Sequence, residues 1–248
     1  MNRIIISFLL LLFAVTAHSA GDAVEYRVGT ETFEGYYISP ADKAPLVLLI
    51  HDWDGLGDYE VRRAQMLAEQ GYAVFAADMF GKGVRPAEMA ERQRLTGALY
   101  ADRERMRLLL RGALDAAAAA GADLSQAVAM GYCFGGAVVL ELARSGADLA
   151  GFVSFHGGLT TPEGQDYAAT QGSILVLHGS ADTAVSMQDF ATLVEELEEH
   201  GVPHEMITYS GAPHAFSVFG SDRYRKDADE KSWQRFLDYL AQTLPRQR

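Results

Sequence analysis

The chain has 248 residues, of which 49% are hydrophobic, and its 33 acidic and 21 basic side chains give a formal net charge of −12. This acidity argues against a nucleic acid as a binding partner, because such partners are held mainly through phosphate contacts. The length suits one well-cored α/β domain, and a single cysteine excludes an internal disulfide.

The first twenty residues have the pattern of a secretory signal peptide. Arg3 precedes an apolar run over residues 4–15, and small residues end the segment near Ala20. The run is short for a membrane-spanning helix, although an uncleaved N-terminal anchor is the alternative. We predict cleavage within residues 17–20, a secreted or periplasmic location and no stable membrane association afterwards. Residues 21–248 are expected to form a single domain.

Apolar runs and turn signals place the elements along this domain. A hairpin at 23–29 and 32–39 alternates apolar and polar residues, whereas the later strands are continuous apolar runs typical of a sheet covered on both faces. The later strands are predicted at 46–50, 72–77, 127–130, 150–155, 174–177 and 205–209, and the helices at 59–70, 87–120 with a break near Gly97, 137–144, 187–200 and 227–243. This alternation predicts an α/β fold with a mostly parallel central sheet.

The segment Gly131-Tyr132-Cys133-Phe134-Gly135-Gly136 stands between a predicted strand and a predicted helix. A Gly-x-Cys-x-Gly turn in that context is a nucleophile elbow with cysteine in place of serine. The turn strains the backbone of its central residue, and glycines on both sides avoid Cβ clashes. Cys133 is therefore predicted to lie above the sheet at a helix N-terminus, which favours a thiolate. A small buried cysteine in a helix-start turn is the competing interpretation.

A cysteine nucleophile needs a base and an acid that orients the base. In parallel sheets such residues collect where the strands end, and the chain order Cys133, Asp182, His214 is that of the α/β-hydrolases. The competing interpretations are a helix-capping Asp182, with Asp189 as the alternative acid, and a surface-loop His214.

The histidine spacing indicates no metal site. His200 and His204 are four residues apart, but Gly201 and Pro203 between them are incompatible with the helical face that a metal-binding pair would need. We predict no metal and no organic cofactor.

Several stretches that span essentially the whole mature chain match one known family. They are His51-Asp52-Trp53-Asp54-Gly55, Gly71-Tyr72-Ala73, Asp78-Met79-Phe80-Gly81, Glu91-Arg92-Gln93-Arg94, the cysteine elbow, His178-Gly179-Ser180-Ala181-Asp182 and Tyr209-Ser210-Gly211-Ala212-Pro213-His214-Ala215-Phe216. On these residues the chain resembles the dienelactone hydrolase family of the α/β-hydrolases. The elbow and the Gly-Ala-x-His-Ala-Phe loop are the specific stretches.

The resemblance implies that Cys133 attacks an ester or lactone carbonyl and forms an acyl-enzyme, while His214, held by Asp182, moves the protons. It implies an oxyanion hole formed by the backbone N–H groups of Phe134 and Trp53. In the family an acidic residue, usually glutamate, helps to activate the thiol. This chain has Asp52 at that position, one methylene shorter, and a solvated or loop-capping aspartate is the alternative.

The resemblance also implies substrate-binding residues. Arg94 matches the first of two family arginines that hold a substrate carboxylate, with an exposed helix arginine as the alternative. The second would follow His214, where this chain has Ser217-Val218-Phe219, and Arg223 or Arg225 could replace it. The aromatic residues Tyr132 and Phe216, together with Trp53 and Phe134, are candidates for an apolar pocket, with core packing as the alternative.

Together these features predict an exported cysteine hydrolase that cleaves a small ester or lactone. Three alternatives remain open, of which the weakest is a structural partner protein in the cell envelope. The same three residues would serve a thioesterase, peptidase or acyltransferase. A redox-sensing or binding protein would use Cys133 only as an oxidisable thiol.

Overall fold

The computed structural model describes residues 21–244, so the predicted signal peptide at 1–20 lies outside the described residues. The elements are β1 (Asp22–Val28), β2 (Glu31–Ile38), β3 (Pro45–Ile50), α1 (Asp58–Glu69), β4 (Ala73–Ala77), α2 (Met89–Ala101), α3 (Arg103–Ala119), β5 (Asp123–Tyr132), α4 (Phe134–Arg144), β6 (Gly151–Phe155), β7 (Ser173–Gly179), α5 (Met187–Glu199), β8 (His204–Tyr209) and α6 (Lys226–Thr243). All strands of the described residues join one sheet in the order β1-β2-β4-β3-β5-β6-β7-β8. Strands β3 to β8 are parallel to one another, and β2 runs antiparallel to its two neighbours β1 and β4, which confirms the predicted mostly parallel α/β sheet.

The core covers both faces of this sheet. Every residue of β3 is buried, and successive side chains point to opposite faces. Leu46 and Leu48 join a cluster with residues of α3, α4 and α5, whereas Val47 and Leu49 join a second cluster with residues of α1 and α6. The continuous apolar runs in the sequence follow from this double coverage, because neither face of a central strand meets water.

The predicted helical stretch at 87–120 breaks at a different residue from the one we expected. Gly97 lies inside α2, and the chain interrupts the helix at Asp102. The Asp102 carboxylate accepts a hydrogen bond from the backbone N–H of Arg105 at 2.9 Å and so caps α3. An aspartate cap satisfies a free N–H group, whereas an exposed glycine costs a helix only about 1 kcal/mol, so the cap decides the boundary.

The parallel strands place their carboxyl ends at one edge of the sheet. The paired positions Ile50, Gly131, Ser154, Val176 and Met206 mark nearly the same level across β3, β5, β6, β7 and β8. Loops that follow these strands therefore meet above that edge. Within residues 21–244, no helix combines the length and the apolar character that a membrane crossing requires.

Candidate active site

The nucleophile elbow forms as the sequence predicts, between β5 and α4. Cys133 has φ of 51°, in the left-handed region that side chains other than glycine rarely adopt. A Cβ on Gly131 would lie 2.3 Å from the backbone of Gly135, and a Cβ on Gly135 would lie 2.3 Å from the Ile50 carbonyl oxygen. Glycine is required at both positions because the neighbouring atoms are backbone and cannot move aside.

His214 joins Cys133 to Asp182. The distance from His214 Nε2 to Cys133 Sγ is 3.0 Å, and the distance from His214 Nδ1 to Asp182 Oδ2 is 2.8 Å. The other Asp182 oxygen accepts hydrogen bonds from the backbone N–H groups of Ala184 and Val185 at 2.8 and 2.9 Å. Residues 81 and 32 positions apart in sequence thus form one hydrogen-bonded set, and Cys133 keeps part of its surface exposed.

The alternative acid occupies another place. Asp189 caps α5 by accepting hydrogen bonds from the backbone N–H and the hydroxyl of Ser186 at 2.9 and 2.7 Å. The Asp189 carboxylate therefore caps the N-terminus of α5, whereas the Asp182 carboxylate contacts His214.

The charges of this set are complementary. Burial acts to lower the pKa of His214, but its hydrogen bonds to Asp182 and Cys133 dominate and raise it to about 10. Burial acts to raise the pKa of Asp182, and the hydrogen bonds from His214 and from backbone N–H groups reverse this, so the pKa is lowered. At neutral pH an imidazolium therefore lies between the Asp182 carboxylate and the sulfur of Cys133.

The two expected oxyanion donors belong to the first turn of α4 and to the loop after β3. The N–H of Phe134 is the first in α4 and has no acceptor within its own helix. Trp53 belongs to the loop after β3, which the close approach of Gly135 to Ile50 brings against the elbow. His51 fixes this loop, because its Nε2 accepts a hydrogen bond from the Met79 N–H at 3.1 Å and its Nδ1 contacts the Asp52 carbonyl oxygen at 2.6 Å.

Asp52 is buried in the same loop and differs from Asp182 in its charge. Its Oδ1 accepts a hydrogen bond from the Asp54 N–H at 3.0 Å. Burial, followed by the neighbouring carboxylates of Asp54 and Glu60, raises the pKa of Asp52 to about 9. Among the described residues the hydrogen-bond partner of the Cys133 sulfur is His214 rather than Asp52. The role of Asp52 as a thiol-activating acid stays a prediction.

The predicted substrate-binding arginine, Arg94, lies on the outer face of α2. Its guanidinium makes two hydrogen bonds to the Glu91 carboxylate, at 2.8 and 2.6 Å, and its side chain is 63% exposed. The neighbouring Arg92 instead lies over the ring of Trp53, 5.4 Å from its centroid. Arg92 is thus the arginine of this stretch that the fold turns toward the loop after β3.

The two predicted aromatic binding residues lie away from an accessible surface. Tyr132 and Phe216 are both fully buried in the core. Their rings pack on those of Phe155 and Tyr209 at centroid distances of 4.9 and 5.5 Å. They offer no exposed surface to a substrate, in agreement with the alternative of core packing. Arg223 and Arg225, the candidates for a second arginine, are exposed, and Arg225 donates to the carbonyls of Asp222 and Tyr224.

A buried polar network that sequence reasoning missed supports the His214 loop. The Ser217 hydroxyl contacts His156 Nε2 at 2.8 Å and the Tyr59 hydroxyl at 3.0 Å. The Ser217 carbonyl accepts a hydrogen bond from Arg63 at 3.0 Å, and Arg63 also forms an ion pair with Asp229. These partners are separated by up to 166 positions, and no short pattern in the sequence connects them.

The ring of His156 lies against that of His214, with the two centroids 5.4 Å apart. Burial lowers the pKa of His156 far below its usual range, and the neighbouring His214 charge adds to this effect. His156 is therefore a neutral residue that positions the His214 ring from behind. No group of three or more His, Cys, Asp or Glu side chains within residues 21–244 is arranged to hold a metal ion.

A mostly parallel sheet with a cysteine elbow and a Cys-His-Asp set at its strand ends defines an α/β-hydrolase. Similar proteins agree with this class. The solved structure named m3DLH is 31% identical with a TM-score of 0.85, covering 90% of this chain and 98% of its own. A dienelactone hydrolase-like promiscuous phosphotriesterase from metagenomic libraries is also 31% identical, with a TM-score of 0.84 and the same coverage.

Sequence relatives and a family model identify the family. A Salmonella typhimurium protein named "Putative carboxymethylenebutenolidase" is 25% identical over 220 residues, which cover 84% of this chain and 82% of that protein. The model of the dienelactone hydrolase family matches residues 33–244. The chain belongs to the dienelactone hydrolase family, and it is a hydrolase that acts on ester or lactone bonds.

Proposed function

We propose that this protein cleaves a small carboxylic ester or lactone with Cys133 as the nucleophile and an acyl-enzyme as the intermediate. The observation that carries the proposal is the hydrogen-bonded order of Cys133 Sγ, His214 and Asp182, with distances of 3.0 and 2.8 Å, on a strained elbow at the sheet edge. Nucleophile, base and orienting acid in this geometry are the components of covalent acyl transfer.

Acylation starts from the Cys133 thiolate beside the His214 imidazolium, the thiol proton being the one that His214 Nε2 holds. The sulfur of Cys133 attacks the carbonyl carbon, and the N–H groups of Phe134 and Trp53 stabilise the negative charge that develops on the carbonyl oxygen. Each such donor typically contributes about 3 kcal/mol. The C–O bond to the alcohol then breaks, and the leaving oxygen takes the proton from His214 Nε2. A thioester on Cys133 and a neutral His214 remain.

Deacylation uses the neutral imidazole as a base. Water loses a proton to His214 Nε2 and attacks the thioester carbonyl, and the C–S bond breaks to release the carboxylic acid. The sulfur leaves as a thiolate beside the new imidazolium, which restores the starting state. Asp182 keeps its charge throughout and holds the ring through Nδ1.

Acid-quenched mass spectrometry tests the nucleophile. The purified protein is mixed with p-nitrophenyl acetate, and intact mass and peptide masses are measured. We expect an acetyl group on the Cys133 peptide and none in Cys133→Ala or His214→Ala. An adduct on another residue, or neither adduct nor turnover with esters and lactones, would refute the proposal. An acyl group passed to a thiol or amine acceptor faster than to water would favour the acyltransferase alternative.

The two candidate acids form a matched pair of variants. Asp182→Asn removes the charge that orients His214, so kcat should fall by about 10²–10⁴-fold. Asp189→Asn removes the same charge from the first turn of α5, a few residues after Asp182, and should leave kcat near the wild-type value. A larger loss in the second variant would assign the acid role to Asp189.

We also propose that the mature protein is exported. The support is the sequence pattern of Arg3, the apolar run and the small residues up to Ala20. N-terminal sequencing of the protein from the periplasmic or culture fraction is expected to give a start within residues 18–21. A chain that retains Met1 in the membrane fraction would instead establish an uncleaved anchor.

A further inference from the structure

The loop after β3 carries the backbone N–H group of Trp53, which the proposed mechanism uses as an oxyanion donor. The start of this loop abuts the elbow, since a Cβ on Gly135 would lie 2.6 Å from the His51 carbonyl oxygen. Trp53 is half-buried, and within residues 21–244 its N–H makes no hydrogen bond to an acceptor. Most such N–H groups are paired, so an unpaired one beside a nucleophile is available to a substrate oxygen.

The peptide group that contains this N–H is oriented by His51. Burial lowers the pKa of His51, so its ring is neutral. Its Nε2 accepts the Met79 N–H at 3.1 Å, so Nδ1 carries the ring proton and donates it to the Asp52 carbonyl oxygen at 2.6 Å. In a trans peptide the C=O and N–H bonds point in opposite directions, so this contact directs the Trp53 N–H away from the His51 ring.

The side chain of Asp52 fixes the next peptide group. Its Oδ1 accepts the Asp54 N–H at 3.0 Å, which closes a turn of three residues with Trp53 at its centre. Aspartate and asparagine make this turn because their short side chains reach the N–H two residues further on. Asp52 is 8% exposed, so little water competes for the bond. Both peptide groups of Trp53 are therefore held.

The ring of Trp53 is held separately, by α2. The Arg92 guanidinium lies 5.4 Å from the ring centroid, and its Nε donates to the Pro86 carbonyl at 2.9 Å. Its Nη2 lies 3.8 Å from the Asp54 carboxylate. These contacts fix side chains, so the direction of the Trp53 N–H is set by His51 and Asp52.

We infer that Asp52 is a positioning residue: by closing the turn around Trp53, it aims the Trp53 N–H at the carbonyl oxygen of a substrate at Cys133. The inference rests on the proposed hydrolase function, and it assigns Asp52 to the oxyanion hole instead of the thiol. The turn needs an acceptor oxygen and no charge. A protonated carboxyl and an asparagine amide both offer that oxygen at the same distance from the backbone, whereas a glutamate carries it one methylene further.

Three substitutions of Asp52 separate this role from that of an acid. Asp52→Asn keeps the acceptor and removes the acid, Asp52→Glu keeps the acid and removes the turn, and Asp52→Ala removes both. We expect the rate of acylation by p-nitrophenyl acetate to stay near the wild-type value in Asp52→Asn. It should fall about tenfold in the other two, less than the about 10²–10³-fold of a complete donor loss, because His51 still orients the peptide. A thiol-activating acid would give the opposite order for Asp52→Asn and Asp52→Glu.

A thionoester gives a measurement specific to the oxyanion hole. Its sulfur replaces the carbonyl oxygen of p-nitrophenyl acetate, and sulfur is a weak hydrogen-bond acceptor. A displaced Trp53 N–H should therefore slow the ester more than the thionoester. The ester-to-thionoester ratio of kcat/KM should fall in Asp52→Glu and Asp52→Ala and stay unchanged in Asp52→Asn. A general loosening of the protein would slow both substrates alike.

Asp123→Ala is the matched control. Asp123 Oδ1 accepts the Ser125 N–H at 3.0 Å, which is the same kind of turn with the same bond length. This turn lies at the start of β5, at the opposite end of the strand from Cys133. The variant loses an equivalent turn and should keep both the acylation rate and the ester-to-thionoester ratio of the wild type.

Three results would overturn the inference. They are an acylation rate as low in Asp52→Asn as in Asp52→Ala, an unchanged ratio in Asp52→Glu and Asp52→Ala, and an equal fall of the ratio in Asp123→Ala. Urea unfolding establishes that each variant is folded, and if Asp52→Ala is not, the contrast between Asp52→Asn and Asp52→Glu decides. A wild-type protein that neither hydrolyses esters or lactones nor is acylated on Cys133 would overturn the proposed function itself.

Discussion

Replacing Arg63 with methionine removes the cation from the buried ion pair beneath the His214 loop. The side chain of Arg63 is 1% exposed and that of Asp229 is 6% exposed. Arg63 also donates to the Ser217 carbonyl at 3.0 Å, three residues beyond His214. In Arg63→Met the Asp229 carboxylate keeps a side-chain hydrogen bond from Tyr224 at 3.1 Å and loses its counter-charge.

An uncompensated buried charge typically costs about 3–5 kcal/mol, whereas the loss of an exposed ion pair costs about 0–1 kcal/mol. The total free energy of unfolding of a domain is about 5–15 kcal/mol, so the variant should lose a large share of it. The reciprocal variant should cost less, because in Asp229→Asn the guanidinium still donates to Ser217 and Tyr59 and lies 4.2 Å from the Phe219 ring centroid. We expect about 1.5–3 kcal/mol there.

Urea unfolding at pH 7, followed by far-ultraviolet circular dichroism, measures both losses, with Arg62→Met as the control. Arg62 is the exposed neighbour on the same helix, and its replacement should change the free energy of unfolding by less than about 0.5 kcal/mol. Burial raises the pKa of Asp229 even when Arg63 opposes it. Without Arg63 the carboxyl takes up a proton more readily, so the deficit of Arg63→Met should shrink as the pH falls toward 5.

Two results would contradict the reasoning. A loss below about 1 kcal/mol in Arg63→Met would show that the pair behaves like an exposed one. A larger loss in Asp229→Asn than in Arg63→Met would show that the rings and carbonyl around Arg63 do not stabilise the isolated cation.

Two further predictions concern the elbow and the acidic loop. Gly131→Ala places a Cβ 2.3 Å from the backbone of Gly135 and should prevent the elbow from forming. In Gly97→Ala on α2 the new Cβ meets nothing within 4 Å, and the variant should be more stable by about 0.5–1 kcal/mol. Thermal denaturation measures both effects. The pKa values of Asp52 and Glu60, about 9 and about 7, lie above those of the same groups in an unfolded chain. Unfolding therefore releases protons, and the free energy of unfolding should fall as the pH rises from 5 to 9. The fall should be up to about 1.4 kcal/mol per pH unit for each proton released. Glu60→Gln keeps an acceptor for the α1 cap and should flatten the fall between pH 5 and 7, and an unchanged slope would refute the assignment.

The fold and the position of the elbow could be predicted because their signals are local. A solid apolar run such as 46–50 identifies a doubly covered strand, and glycines at fixed offsets from Cys133 identify a turn that only they can form. The proximity of Cys133, Asp182 and His214 could be predicted from their order in the chain, because parallel strands bring their carboxyl ends together. Sequence could not show that Arg94 would face outward, since α2 carries charged residues on several faces and only packing decides which arginine turns inward.

The Arg63 network escaped prediction for a different reason. Its members come from α1, the end of β6, the His214 loop and α6, and each is an ordinary polar residue within its own segment. The network is stabilised by the pairing of buried groups and not by local sequence preferences. Its residues can therefore be recognised as partners only once the helices are packed. The boundary at Asp102 is a milder case, because a capping hydrogen bond outweighed the glycine signal at Gly97.

The opposite charge states of Asp52 and Asp182 bear on the chemistry of the thiol. Asp182 accepts hydrogen bonds from two backbone N–H groups and from the His214 imidazolium, and each of these favours the ionised carboxylate. Asp52 accepts one such bond in a buried loop beside other carboxyl groups, which favours the protonated acid.

A carboxyl that holds its own proton at neutral pH cannot take another from Cys133 in the free protein. Of the two aspartates, the one whose ionised form is favoured is therefore Asp182, which contacts His214. Asp52→Asn should accordingly leave the rate of acylation at pH 7 much closer to the wild-type value than Asp182→Asn does, in a pre-steady-state measurement of p-nitrophenol release; an equal loss would return the thiol-activating role to Asp52.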